Sequence, residues 1–317
     1  MELRNLGRSG LRVSAIGLGC NNFGGRIGLE ASRDVVHKAL DLGVTLFDTA
    51  DVYGERGGSE ICLGQILGHE RKRIVLATKV GMPMNDTAMG LGASRRYLIN
   101  AIEDSLRRLR TDWIDLYQIH CTDPLTRIEE TLGALDCLVR HGKVRYVGCS
   151  NFAAWQVADA QWTARNRNFT AFISCQEEYS LLARDVEREV LPAARHYGLG
   201  LLPYFPLASG LLTGKYRRNA PMPEQARLTK TQRLADRYLT ERNWHLAERL
   251  SEFAASRGRS LLELAFSWLL YRPPVASVIA GATRPAQIEE NVSAGEWELS
   301  AEDLNDIDAI TGRTAGP

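Results

Sequence analysis

The sequence predicts an α/β fold: a (β/α)8 TIM barrel with an N-terminal β-hairpin cap, a long basic loop after strand seven and a C-terminal helix. Two observations carry this expectation. Eight short apolar runs alternate with segments of helical period, and most of the runs are continuously apolar, as strands covered on both faces are. A barrel of this kind takes roughly 250 residues or more, and 317 residues with 44% hydrophobic content are enough to build one. Alternation over eight units favours the closed barrel over an open doubly wound sheet. No low-complexity linker interrupts it, so residues 1–317 are expected to form one domain.

The elements follow in order. Leu3 to Leu6 and Leu11 to Val13 form a hairpin turning through Gly7-Arg8-Ser9-Gly10, placed to cap the barrel's bottom. Strands are expected at 15–18, 45–49, 74–78, 114–119, 144–149, 172–176, 200–204 and 276–280. Ser32 suits the N-cap of a helix through Val35, Val36, Ala39 and Leu40 that stops at Gly43. Leu98, Ile102, Leu106 and Leu109 share one helical face, as do Ile128, Leu132, Leu135, Leu138 and Val139 ahead of Gly142. A polar insertion from about 206 to 243 contains a basic helix near 229–242. A last helix near 300–311 is led by Ser300, with Glu302 and Asp303 in its first turn.

Bulk properties narrow the function. A net charge of +1 gives no reason for a nucleic-acid or anionic-membrane partner. No apolar run of about 18 residues suggests a membrane span, and the start MELRNLGRSG lacks a signal peptide's apolar stretch. The six cysteines form no CxxC pair and no ligand spacing with histidine, so they read as reduced residues of a cytoplasmic protein. The five histidines other than His120 fall in helices or the insertion, and no metal site is expected.

The chemistry gathers where strands end. Asp48 and Tyr53 follow Leu46-Phe47, Lys79 follows the run 74–77, and His120 follows 114–119. A parallel barrel brings its strand ends to one face, so these four are expected to meet. A carboxylate, a phenol, an amine and an imidazole together make a proton-donating site. The Lys79 ammonium would stabilise the Tyr53 phenolate and lower its pKa, Asp48 would hold the ammonium, and His120 would orient or protonate a carbonyl oxygen. Singly, each has a plainer reading: a cap, a packed ring, a solvated amine. Four in order at successive strand ends are harder to explain so.

Phe47-Asp48-Thr49-Ala50-Asp51-Val52-Tyr53-Gly54, Ala77-Thr78-Lys79, Asp115 to His120, Gly148-Cys149-Ser150-Asn151-Phe152 and Gly210-Leu211-Leu212-Thr213-Gly214-Lys215 resemble signatures of the aldo-keto reductase superfamily. The resemblance runs from about residue 3 to 310 and is nearest in style to bacterial reductases related to potassium-channel β subunits. It implies an NADPH-dependent reductase of aldehydes and ketones, with Tyr53 as acid assisted by Lys79, Asp48 and His120.

The remaining strand ends supply a site for NADPH or NADP+. The amide and hydroxyl groups of Ser150, Asn151 and Gln176 suit the nicotinamide carboxamide, and the resemblance implies that role. Tyr204, Phe205, Pro206 and Leu207 match the family's aromatic–x–Pro–Leu segment, with Tyr204 stacking on the nicotinamide. Phe205 stands where a small residue is common. Gly19 in the first loop, Gly210 and Gly281 border the cofactor by the same resemblance. Thr283 suits an N-cap with Pro285 in the first turn, so that free N–H groups and Arg284 face a 2′-phosphate. Gln287, Glu290 and Asn291 match positions that hold the adenosine end. Between 215 and 243, eight cations face three acids, a basic lid in which Lys215 and Arg227 are expected to touch the pyrophosphate.

Specificity is expected from Asn21 to Phe23, from 82–91 with Met82, Met84, Met89 and Leu91, from 121–124 and from the C-terminal tail. Asn21 stands where an aromatic is often found. Gly17-x-Gly19 with Gly24-Gly25 fails the GxGxxG spacing, and Cys149 and Cys175 lack nucleophile partners. Two other classes compete. One is an NADP(H)-binding regulatory subunit resembling channel β subunits, disfavoured by how soon the capping hairpin begins. The other is a non-redox barrel forming a Schiff base on Lys79. The substrate is expected to be a small carbonyl compound, and the oligomeric state stays open.

Overall fold

A computed structural model describes residues 1–87, 89–224 and 226–312. Two antiparallel strands, β1 (Leu3–Asn5) and β2 (Arg12–Ser14), pair in the register Leu3↔Ser14 and form the hairpin. Eight parallel strands follow: β3 (Ile16–Gly19), β4 (Leu46–Asp48), β5 (Val75–Val80), β6 (Ile114–Ile119), β7 (Val144–Ser150), β8 (Ser174–Glu178), β9 (Gly200–Tyr204) and β10 (Val278–Gly281). Their order β10-β3-β4-β5-β6-β7-β8-β9 is a nearly closed barrel. The seam is closed just before β10, where Leu201 N donates to Pro274 O (3.0 Å) and Ala276 N to Leu201 O (2.9 Å).

Every barrel strand lies within two residues of its expected bounds at both ends. Side chains alternate across the sheet. Leu46, Val75, Ala77, Leu116, Leu202 and Ala276 point inward and pack with Leu6 and Val13 of the hairpin, which plugs the lower end. Phe47, Leu76 and Tyr117 point outward, into the layer between sheet and helices. One more inward step along β4, β5 and β6 reaches Asp48, Lys79 and Gln118, so the barrel filling turns polar at its upper layer.

The outer ring comprises α1 (Leu29–Asp41), α2 (Tyr53–Ile66), α3 (Arg95–Leu109), α4 (Ile128–Arg140), α5 (Ala154–Arg167) and α6 (Val190–Tyr197). It continues with short α7 (Arg227–Lys230) and α8 (Gln232–Tyr238), then α9 (Glu241–Ser256), α10 (Leu261–Leu270), α11 (Pro285–Ser293) and α12 (Ala301–Ile310). Ser300 and Asp303 form a capping box at α12, as the acidic first turn suggested. Two expectations are corrected. Ser32 is not the cap of α1: the helix starts four residues earlier behind Gly28, and the buried Ser32 hydroxyl donates back to Gly28 O (2.8 Å). The basic helix near 229–242 is broken into α7 and α8, and α9 starts behind Thr240, whose hydroxyl accepts from Asn243 N. No described helix is long and apolar enough to cross a membrane.

Candidate active site

Asp48 ends β4, Lys79 lies one residue before the end of β5, His120 follows β6, and Tyr53 opens α2. The four meet. Lys79 is fully buried; its Nζ donates to Asp48 Oδ2 (2.6 Å) and to Thr49 O (3.0 Å). The other Asp48 oxygen accepts from Gln176 Nε2 (2.8 Å) and from Gln118 Nε2 (3.4 Å), so the carboxylate is hydrogen-bonded on both sides. The Tyr53 ring covers the pair, its centroid 5.0 Å from Nζ. His120 packs against the same ring edge to face, with centroids 5.6 Å apart and planes at 83°. Gly54, Glu55, Arg56 and Gly57 all take positive φ just after Tyr53. Gly54 is required there, because a Cβ would come within 2.3 Å of Phe23 O. Arg56 ties this turn to the loop after β5 through Asp86 (2.7 Å).

The electrostatics correct one expectation. Burial pushes the Tyr53 phenol above its ordinary value; Lys79 pulls it back, Asp48 adds to the rise, and the net is upward. The ammonium acts in the expected direction, but desolvation outweighs it. Burial alone would lower Lys79, yet Asp48 and Tyr53 more than offset this and hold it above its usual value, as a cation. Burial, then the Lys79 charge, pushes His120 down to about 3, so the imidazole is neutral near pH 7. Its Nδ1 is buried with no partner among the described residues.

Above these groups opens a cavity of about 1250 Å³. It is lined by each residue expected at the cofactor, from Gly19, Ser150, Asn151 and Gln176 through Tyr204, Phe205, Pro206, Leu207, Gly210, Lys215 and Arg227 to Gly281, Thr283, Arg284, Gln287, Glu290 and Asn291. Gln176 lies inside β8, not after it. Asn151, at a φ of 58°, donates to His120 O (2.9 Å) and accepts from the Tyr204 hydroxyl (2.8 Å). Phe205 has a φ of 50°, a strained backbone for a bulky residue, which gives a physical reason for a smaller side chain at this point. Thr283 is not the N-cap of α11. Arg284 holds that place with no side-chain cap, Pro285 starts the helix, and Thr283 donates through N (2.8 Å) and Oγ1 (3.0 Å) to Gln287 Oε1.

Cations crowd the rim. Arg26, Lys215, Arg227, Arg233 and Arg284 line the cavity, and the acids among its described lining are Asp48, bound to Lys79, and Glu290. Elsewhere in the lid Arg218 bridges Glu241 (2.6 Å) and Glu248 (3.0 Å), and Arg237 pairs with Glu178. Partial burial, then Arg26 and Arg284, lowers the Lys215 ammonium, while burial and Arg26 lower the Arg227 guanidinium. Several like charges gathered at one rim form a receptor for an anion. Of the residues expected to shape specificity, Asn21, Asn22, Met82 and Cys121 line the cavity. Residue 88 and the tail 313–317 lie outside the described residues.

Three features were missed by sequence reasoning. Gln118 had a usable signal: on β6 it shares the inward parity of Leu116, one step above it. Arg26 had none, since its place depends on how the first loop packs. The third is a polar group on the outer side of β5. Glu60 accepts from Thr78 Oγ1 (2.6 Å) and pairs with Arg108 (2.6 Å), and beside it Asp51 is 1% exposed with neither oxygen partnered among the described residues. Burial and then Glu60 push Asp51 up to about 8. No group of His, Cys, Asp and Glu among the described residues is arranged to hold a metal, and all six cysteines are free thiols.

Residues 15–311 match the aldo/keto reductase family, and the chain belongs to it. It is 38% identical to the uncharacterized oxidoreductase YrpG of Bacillus subtilis, over 98% of this chain and 96% of that one. It is 37% identical to the L-glyceraldehyde 3-phosphate reductase of Escherichia coli K12, over 97% of this chain and 92% of that one. It is also 38% identical to a probable voltage-gated potassium channel subunit beta of Oryza sativa, over 93% and 91%. The family supports NAD(P)H-dependent reduction of small carbonyl compounds.

Proposed function

We propose that this reductase uses NADPH to convert aldehydes and ketones to alcohols, with Tyr53 as the proton donor. One observation carries the reading: a buried Lys79–Asp48 ion pair lies directly beneath the Tyr53 ring, at the floor of a cation-rimmed cavity. The cavity suits a phosphorylated dinucleotide. Its floor offers amides and hydroxyls, its rim offers Lys215 and Arg284, and the uncapped first turn of α11 leaves N–H groups for a phosphate. Bound there, the nicotinamide supplies the hydride.

The protein's part is the proton and the geometry. With its pKa raised, Tyr53 keeps its proton near neutral pH until a carbonyl oxygen gains negative charge. Lys79 then steadies the phenolate that remains. At about 5 Å and an effective dielectric of about 20, the attraction is about 3 kcal/mol, or two powers of ten in rate. Asp48 keeps the ammonium in place, and Gln118 and Gln176 keep Asp48 in place. His120, neutral, offers a hydrogen bond that orients the carbonyl and is not itself the acid. A relative named for reducing L-glyceraldehyde 3-phosphate supports small aldehydes as the substrate class.

NADPH oxidation with a panel of aldehydes, for wild type and Tyr53→Phe, tests this. Loss of the general acid is expected to lower kcat by about 10²–10⁴ while NADPH binding stays within about twofold. Full activity in Tyr53→Phe would refute the assignment. A second reading, an NADP(H)-binding regulatory subunit, draws support from the relatives named as channel subunits. It predicts NADPH binding with negligible turnover of every aldehyde tried.

A further inference from the structure

We infer that Glu60 and Arg108 are positioning residues for Tyr53: together they clamp the turn that follows it and set its place above Lys79. The inference rests on the reductase reading above and extends it to two groups that do not line the cavity.

The turn needs such support. Gly54, Glu55, Arg56 and Gly57 take φ of 67°, 61°, 67° and 121° in succession, and two of them carry side chains that disfavour the left-handed region. A stretch of this kind persists only where its surroundings over-determine it. The first loop holds one part: a Cβ on Gly54 would come 2.3 Å from Phe23 O, and one on Gly58 would come 2.8 Å from Gly24 O. Arg108 of α3 holds another: a Cβ on Gly57 would come 2.8 Å from Arg108 Cδ. The aliphatic stem of Arg108 therefore lies directly against the turn.

Glu60 fixes Arg108 there and ties it to the strand of Lys79. One Glu60 oxygen accepts from Arg108 Nε (2.6 Å) and the other from Thr78 Oγ1 (2.6 Å). Thr78 adjoins Lys79 on β5, so its hydroxyl faces the helices while the ammonium faces the barrel interior. Glu60 itself stands on α2, the helix that Tyr53 opens. One carboxylate thus couples the turn, the strand of Lys79 and α3. The Lys79 Nζ lies 5.0 Å from the centre of the Tyr53 ring, and that separation depends on how α2 and β5 are set against each other. The Glu60 side chain is fully buried and that of Arg108 is 20% exposed, so the two bonds act in a low dielectric, where they are strong. Asp51, Tyr97 and Tyr117 face the same pair within electrostatic reach. A pair serving only to join α2 to α3 would touch neither the turn nor β5, and this one touches both.

The test measures kcat and KM for an aldehyde the wild type reduces, and NADPH affinity by fluorescence, in Arg108→Gln, Arg108→Lys and Glu60→Gln. Each is made in the wild-type and in the Tyr53→Phe background. Arg108→Gln and Glu60→Gln are expected to lower kcat about 10–10² fold, with KM and NADPH affinity within about twofold. Arg108→Lys, which keeps the charge and one donor, should recover part of that loss. In Tyr53→Phe the same changes should cost less than about twofold, because a residue acting through Tyr53 has nothing left to position. Equal cost in both backgrounds would overturn the inference, as would full kcat in Glu60→Gln. Should Glu60→Gln or Arg108→Gln fail to fold, Arg108→Lys carries the same comparison. If wild type reduces no aldehyde, the reductase reading falls separately, and amide hydrogen exchange then decides the clamp. Faster exchange confined to residues 53–60 in Arg108→Lys supports it; no change there, or a loss of protection spread over the barrel, overturns it.

Discussion

Replacing Asp51 with asparagine should stabilise the protein, and the gain should grow with pH. The carboxyl is 1% exposed, both oxygens lack partners among the described residues, and its pKa rises to about 8 from 3.8. Burial is the first cause and the Glu60 carboxylate the second; Arg108 and Lys79 oppose them, and the phenols of Tyr97 and Tyr117 lie within electrostatic reach. A carboxyl raised in the folded state keeps its proton while the unfolded chain loses it. Its contribution is therefore most favourable below about pH 4 and is lost as pH rises to about 8. At about 1.4 kcal/mol per pH unit, the loss between pH 5 and pH 7 is about 3 kcal/mol. An amide does not titrate, so Asp51→Asn avoids this loss, less a constant penalty of about 1–3 kcal/mol for its own unpaired atoms. That penalty cancels when the variant is compared with itself at two pH values. Urea unfolding of both proteins at pH 5, 6 and 7 measures the difference. A stability gap that does not change with pH would show Asp51 ionised throughout and balanced by Arg108, refuting the argument.

Other outcomes follow from the same geometry. Lys79→Met should destabilise by about 3–5 kcal/mol, because Asp48 would stay buried without its cation; adding Asp48→Asn should restore part of the loss, as a shift in Tm. With His120 at about 3, kcat/KM should show no imidazole limb between pH 5 and 8, and a fall with an apparent pKa near 6.5 would overturn its neutral role. Arg284→Gln should weaken NADPH binding about tenfold and leave NADH within twofold, read as fluorescence titrations of each nucleotide.

The barrel was legible because its strands are continuously apolar and its helices amphipathic, both local signals. Where local signals fail, so did the reading. Ser32 is a good cap residue, but Gly28 caps α1 with no side chain at all, and Ser32 bonds back to it from within the helix. The lid between 215 and 243 carries too few apolar residues to give a period, so the break between α7 and α8 left no trace. Thr283 looked like a cap for the same reason as Ser32, yet Gln287, one turn on, takes both of its donors.

At the site, placement was legible and energy was not. Lys79 beside Tyr53 can be inferred from two strand ends, and its charge does favour the phenolate. The sign of the net shift depends on how much water the pocket excludes, and the first loop contributes to that by packing Phe23 and Gly24 against Gly54 and Gly58 of the turn that follows Tyr53. Exclusion wins, and the phenol rises. The difference has a chemical consequence. A phenol lowered by its lysine would be partly ionised at rest, and less able to give up a proton. A phenol raised by burial holds its proton while the adjacent cation waits to receive the phenolate. With Tyr53 as the proposed acid, the phenol would be protonated before the carbonyl arrives and stabilised only after it has reacted, which is the order that favours the transition state over the ground state.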